Sequence, residues 1–227
     1  MELHVKIQVV HGSITKYPAD ALVCPANGDL SMLAIPGGIQ FAFLMDGGSE
    51  IFKEAEEVAK KYAQENEVHG EIGLVPTTSA HVTGAYGLPA RYVIHSVAVE
   101  YDPKIKNIYC DSDVIQRSVK NVLVKAEELK VKSIGFPLLG TGLYDVSIED
   151  SSRAIMNTCI DHLSHEGKNV NRVGISCYSG GDYRIAKEVA EILLQEPVDG
   201  NGLIGTGNGN GGNDRDSLER KLVAHGF

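Results

Sequence analysis

Two stretches of the chain combine glycine with an absence of cations in a way that suits an anion held by backbone alone. One is Ala26-Asn27-Gly28, a spacer, then Pro36-Gly37-Gly38-Ile39-Gln40 entering a short apolar helix. The other is Leu139-Gly140-Thr141-Gly142-Leu143-Tyr144. Each follows an apolar strand pattern, Ala21–Pro25 and Ser133–Leu138, and precedes a helical one. In open α/β sheets ligands gather at such places, where glycine loops at the carboxyl ends of strands meet helix N-termini. No Lys or Arg occurs between Leu22 and Gly48 or between Ile134 and Ser152. A phosphate bound here would be held by main-chain N–H groups and helix dipoles. The Gly-Lys-Ser/Thr ending of a Walker loop is missing, and Gly140-x-Gly142 runs on to Asp145 in place of a third fingerprint glycine. Each loop taken singly is equally compatible with ordinary turn chemistry.

Other reactive side chains read as structural. Asp29 and Asp46 flank the first loop as solvated carboxylates. His95 lies in the apolar pattern Tyr92–Val97 and reads as a buried structural histidine, and His11 beside Gly12 reads likewise. His162 and His165 sit three apart at a helix end, where the dipole accounts for them better than a metal lacking a third ligand. Cys24 has no positioned base and reads as a small buried residue. No metal and no cofactor is expected.

The elements that must position the loops alternate. Strand patterns fall at Leu3–Val10, Ala21–Pro25, Gly73–Thr77, Tyr92–Val97, Ser133–Leu138 and Arg172–Cys177. Helical patterns open at Ser49, after Asp111, at Ser147 and near Tyr183; Ser147-x-x-Asp150 resembles a capping box with Asp for the usual Glu. Such alternation predicts a three-layer α/β/α sandwich around a mixed, mostly parallel sheet over residues 1–195. Residues 196–213, rich in Gly and Asn, read as a linker, because they bury too little to offset their ordering entropy. Residues 214–227 read as a short helical tail, marginal unless docked on a partner.

Composition limits the partners. The 227 residues are 43% hydrophobic and 22% charged, enough for a sizeable core. The formal net charge of −9 gives no long-range attraction for nucleic acid or anionic lipid, and no apolar stretch is long enough to span a bilayer. The start, Met1-Glu2-Leu3-His4, has no basic and then apolar region, and the four cysteines form no Cys-x-x-Cys pair. Free thiols in a reducing cytosol are expected, and with them a cytoplasmic location.

In order, Gly12-Ser13-Ile14-Thr15, Asp20 to Asn27, Gly37-Gly38-Ile39 and Phe136 to Tyr144 resemble the macro domain, over roughly residues 3 to 195. The resemblance implies binding of ADP-ribose or a derivative across the top of the sheet. It implies that Leu139 to Tyr144 wrap the diphosphate with help from Gly37, Gly38, Ile39 and Gln40, that Asn27 meets the distal ribose, and that Tyr178 packs on the adenine. Ser13 and Ile14 fall where members hold the adenine edge, but Ser13 replaces the common Asp. Cys24 and Pro36 replace an Asn and a Gly. Gln40 stands where the hydrolase branch has an Asp, and an amide cannot be a general base near neutral pH. Three readings follow. The first is a binding domain for ADP-ribose or ADP-ribosylated protein. The second is a metal-independent hydrolase of O-acyl-ADP-ribose, ADP-ribosyl ester or ADP-ribose 1″-phosphate, with Asn27 positioning water. The third is an assembly module using the C-terminal tail as a handle.

Overall fold

The computed structural model describes residues 6–33, 35–68, 73–195 and 225–226. In chain order the elements are β1 (Lys6–His11), a short 3-10 turn (Ile14–Lys16), β2 (Ala21–Pro25), α1 (Ile39–Gly47), α2 (Glu50–Glu65), β3 (Ala80–Gly84) and β4 (Tyr92–Ser96). There follow β5 (Glu100–Asp102), β6 (Asn107–Tyr109), α3 (Ser112–Glu128), β7 (Ser133–Pro137), α4 (Ile148–His165), β8 (Arg172–Cys177), α5 (Gly180–Gln195) and β9 (His225–Gly226). The main sheet has the order β3-β4-β2-β7-β8-β1-β9, and only β3 runs antiparallel to its neighbour. The expected sandwich with a mostly parallel sheet is therefore what forms. Of the expected linker and tail, all but His225–Gly226 lies outside the described residues; that pair sits parallel to β1.

The central strands are apolar on both faces because both are covered. In β2, Ala21 and Val23 join the core under α3, α4 and α5, while Leu22 and Cys24 join the core under α1 and α2. Ile94 and Val93 of β4 divide the same way. Caps appear where the sequence places them. The Asp111 carboxylate accepts from Val114 N at 2.9 Å at the start of α3, and Ser147 Oγ accepts from Asp150 N at 3.0 Å at the start of α4. The second bond is the first half of the Asp-for-Glu capping box; in the other half the Asp150 carboxylate accepts from the Ser147 hydroxyl at 2.7 Å in place of its backbone N–H.

One expected strand is absent. Residues 73–77 turn instead of pairing, because Leu74 N and Val75 N both donate to the single carbonyl of Gly28, at 2.8 and 2.9 Å, and Pro76 has no N–H to offer a ladder. The antiparallel edge strand is β3, a more polar run that the apolar pattern did not mark. The small β5–β6 hairpin was equally unmarked.

Close packing at two glycines fixes the chain between β1 and β2. Gly135 and Gly174 are register partners in β7 and β8, and the Tyr17 ring lies over both; a Cβ at Gly174 would collide with its ring and hydroxyl. Tyr17 OH in turn accepts from Gln8 Nε2 at 2.7 Å.

Glu127 ties α3 to the loop before β8. Its carboxylate accepts from the backbone N–H groups of Lys168, Asn169 and Val170 and from Asn169 Nδ2. Burial alone would raise its pKa, but these hydrogen bonds outweigh burial and hold it below the ordinary glutamate value. A carboxyl depressed in the folded state contributes stability that is fully present above its unfolded pKa and is lost as pH falls through the folded one. Glu127→Gln should therefore lower the unfolding free energy at neutral pH by about 1–3 kcal/mol. Urea titrations should show this gap closing below the ordinary glutamate range of about 4.3; a gap independent of pH would contradict the assignment.

Candidate functional site

A cleft of about 530 Å³ crosses the carboxyl ends of β4, β2, β7 and β8, with both glycine loops in its walls. The strand order explains the meeting. β2 and β7 are hydrogen-bonded neighbours, so loops more than a hundred residues apart in sequence rise side by side from adjacent strands. Asn27, Gly37, Gly38, Ile39, Gln40, Gly140, Thr141, Gly142, Leu143, Tyr144 and Tyr178 all line it. Ser13, Ile14 and Leu139 do not.

The first loop is held by its own amides. Asn27 Oδ1 accepts from Asp29 N at 3.1 Å, and Asn27 Nδ2 reaches Ser31 O at 3.2 Å and Ser31 Oγ at 3.1 Å. Asn27 thus builds an Asx turn at the cleft wall, with its polar atoms engaged within the loop. Gln40 is 8% exposed and acts as a clip: Nε2 donates to Pro25 O at 2.8 Å and Oε1 accepts from Leu33 N at 2.6 Å. The end of β2 is thereby fastened to the chain entering α1. Gly37 has φ +80, in the left-handed region where a side chain would be strained. Gly38 is the N-cap of α1, where no side chain caps the helix and no acidic residue occupies the first turn. The positive end of that dipole is left to the cleft.

The second loop is equally constrained. Gly140 has φ +77, and a Cβ there would come within 2.8 Å of Cys110 Sγ and of Val146 Cγ2. The Leu139 side chain is buried in the core, and its carbonyl accepts from Ser151 Oγ of α4 at 2.7 Å. That is why Leu139 faces away from the cleft. Among the described residues, no backbone N–H from Gly140 to Tyr144 makes a well-formed hydrogen bond to the protein. None of these residues is buried, so their donors are free to exchange water for an acceptor on a ligand.

At the β8 end, Ser176 Oγ donates to Gly12 O at 2.6 Å, and Tyr178 is 83% exposed, a bare ring rather than a core-edge one. Ile14 is packed in the core under α1 and α2. The Ser13 hydroxyl is engaged with Thr15 Oγ1 at 2.7 Å, and Thr15 donates to Asp46, which also accepts from Lys16 Nζ at 2.8 Å. Hydrogen bonds from Lys16 and Thr15 hold the Asp46 carboxyl below the ordinary aspartate value. It is a tethered structural acceptor.

His95 and His11 are both engaged in packing. His95 is buried with Nε2 3.0 Å from Thr83 Oγ1, and burial drives its pKa down to about 3, so it stays neutral. The His11 ring stacks on Tyr183 at 5.6 Å and props α5. Burial raises the Cys24 thiol far above its ordinary value, leaving it inert. Among the described residues no cluster of three or more His, Cys, Asp or Glu side chains is placed to hold a metal ion, and no helix is long and apolar enough to cross a membrane.

Sequence reasoning missed Leu33, Ile35, Ala98, Val99, Ser176 and Asp182, which also line the cleft. Asp182 carried a readable signal: Ser179 caps α5 by accepting from Asp182 N at 3.1 Å, so the helix begins three residues before Tyr183 and brings Asp182 to the wall.

Comparison with known proteins agrees with this arrangement. The macro domain family model matches residues 23–155. A macro domain-containing protein of Caldanaerobacter subterraneus subsp. tengcongensis is 30% identical over 188 residues, covering 83% of this chain and 97% of its own length. Among solved structures, a mutant of the Oceanobacillus iheyensis macrodomain with ADPR superposes with a TM-score of 0.67 at 27% identity, covering 83% of this chain and 93% of that one. The same macrodomain with ADP gives a TM-score of 0.66 at 28% identity, covering 82% and 90%.

The two loop glycines are expected to separate fold from function. Gly140→Ala meets strain and contact together and should cost about 1–3 kcal/mol in chemical denaturation. A Cβ at Gly142 meets nothing within 4 Å. Gly142→Leu should therefore leave stability within about 0.5 kcal/mol of wild type. Equal destabilisation by both substitutions would refute the geometry given for this loop.

Proposed function

This chain belongs to the macro domain family, and from that membership and the cleft's own geometry we propose that it binds ADP-ribose, free or carried on a modified protein. The observation that supports this most is the row of unengaged N–H groups from Gly140 to Tyr144, facing the uncapped start of α1 across the cleft. Backbone donors held in place by glycine turns can surround a diphosphate without reorganising, and they need no cation. On either side of that centre the cleft offers what the two remaining parts of the ligand need. The β8 end carries the bare Tyr178 ring for a base, and stacking of this kind contributes on the order of 1–3 kcal/mol. The β4 end, between Asn27 and Ala98-Val99, has room for the second sugar. Relatives of known structure hold ADPR and ADP, which is the ligand class this layout suits.

Binding is favoured over hydrolysis by one feature. At the Asn27 end, Gln40 has both polar atoms engaged with Pro25 and Leu33, and it offers no carboxylate to activate water. Turnover there would have to rely on the substrate's own oxygens.

Calorimetry should give micromolar binding of ADP-ribose and weaker binding of ADP, with AMP weakest. Absence of heat at high micromolar ADP-ribose would overturn the proposal. Gly142→Leu should abolish binding while remaining folded. Affinity should also change less than about threefold between low and high salt, because fixed amide dipoles inside a cleft are screened far less than surface cations. A steep loss with salt would point to a cationic site elsewhere.

A further inference from the structure

The cleft changes character from end to end, and its only charged lining residue among the described residues sits at one extreme. Asp182, in the first turn of α5, lines the β8 end together with Ser176 and Tyr178. Its carboxylate has no hydrogen-bond or ion-pair partner among the described residues; the N-cap role in α5 is filled by the Ser179 hydroxyl. The turn that carries it is fixed from behind, because the neighbouring Tyr183 ring stacks on His11 of β1.

An ionised carboxylate is an acceptor only, so whatever it meets in the ligand must donate. Close to a diphosphate it would be repelled, and β8 lies on the far side of β7 from the first glycine loop, so Asp182 faces a different part of the ligand. The flat surface available there is the Tyr178 ring, four residues earlier and 83% exposed. A base stacked on that ring keeps its face on the tyrosine and turns its polar edge toward the surrounding wall.

We infer that Asp182 is a specificity-determining residue, accepting a hydrogen bond from the exocyclic amino group of a purine stacked on Tyr178 and so selecting a 6-amino over a 6-oxo base. This rests on reading the cleft as an ADP-ribose site. Replacing the amino group by a carbonyl would set two acceptors against each other, and a site built around a hydrogen bond rejects an analogue that lacks it far more strongly than an apolar site does.

The test is a calorimetric comparison of ADP-ribose with its hypoxanthine analogue on wild type, Asp182→Ala and Asp182→Asn. Wild type should bind ADP-ribose at least about thirtyfold more tightly than the analogue. Asp182→Ala should weaken ADP-ribose by about ten- to a hundredfold while leaving the analogue unchanged or more tightly bound, so that the preference collapses. Asp182→Asn keeps a polar acceptor in the first turn of the helix and should fall between, with an unchanged melting temperature. Equal weakening of both ligands would mean that Asp182 meets the sugar or acts through the fold, and the inference would be wrong. So would an unchanged preference. If wild type binds neither ligand, the reading of the cleft fails and takes the inference with it; binding without discrimination defeats the inference alone.

Discussion

The proposed function turns on one electrostatic constraint: a chain with a formal charge of −9 would have to accommodate phosphate in a cleft that has no Lys or Arg in its lining among the described residues. Long-range attraction works against such a ligand, so the favourable terms must be short-ranged and fixed in advance. Main-chain N–H groups meet that need only if the backbone is locked in a shape that leaves them unpaired. The sheet order supplies the location, since β2 and β7 are neighbours, and the left-handed glycines Gly37 and Gly140 supply the turns. A cationic side chain could have done the same work from a mobile position. Amides cannot move to their ligand, so their placement becomes a property of the fold.

That requirement accounts for the polar residues that surround the loops. Gln40 and Asn27 stand where chemistry would be looked for, yet both spend their amides on the loop. Gln40 bridges Pro25 and Leu33, while Asn27 closes a turn with Asp29 and Ser31. Leu74 and Val75 fasten Gly28 from outside, and Cys110 and Val146 press on Gly140 from beneath. A carboxylate in place of Gln40 could accept from Leu33 N but could not donate to Pro25 O, so it would hold one side of the loop and release the other. Rigidity of the anion cradle and a free general base at this position are thus alternatives, and this chain has the first.

Much of this was legible in the residues and some was not, for identifiable reasons. The caps at Asp111 and Ser147 are local, three-residue signals, and each side chain accepts from the backbone N–H three residues on. The glycine loops were legible because absence of cations and position after apolar strands can both be read along the chain. Residues 73–77 misled because an apolar run reports burial, not pairing: Val75 is buried among Leu30, Ala55 and Ala59, while its N–H goes to Gly28 O. The place of Ser13 outside the cleft lining was not legible, because its hydroxyl is engaged with Thr15, whose acceptor Asp46 is 31 residues away on another element. Asp182 was passed over because its place depends on where α5 begins, and helix boundaries are the least determined part of any pattern. Contacts made through the third dimension were the ones that stayed hidden.

The lips of the cleft complete the electrostatic argument. Leu33, Ile35 and Leu143 are 44%, 46% and 65% exposed, large apolar side chains that most folds would bury. Two belong to the chain leading into α1 and the third to the second glycine loop, so both loops bring apolar side chains to the same cleft. Left bare they cost hydrophobic free energy, of the order of 25 cal/mol for each Å² of apolar surface. A ligand lying between them recovers part of that cost and at the same time displaces water from around the N–H donors. In the drier surroundings each amide–phosphate hydrogen bond strengthens, because the local dielectric falls. In the proposed complex, apolar lips and uncharged donors would therefore act as a single device: the first strengthens the second against the repulsion that the net charge of the protein exerts on an anion.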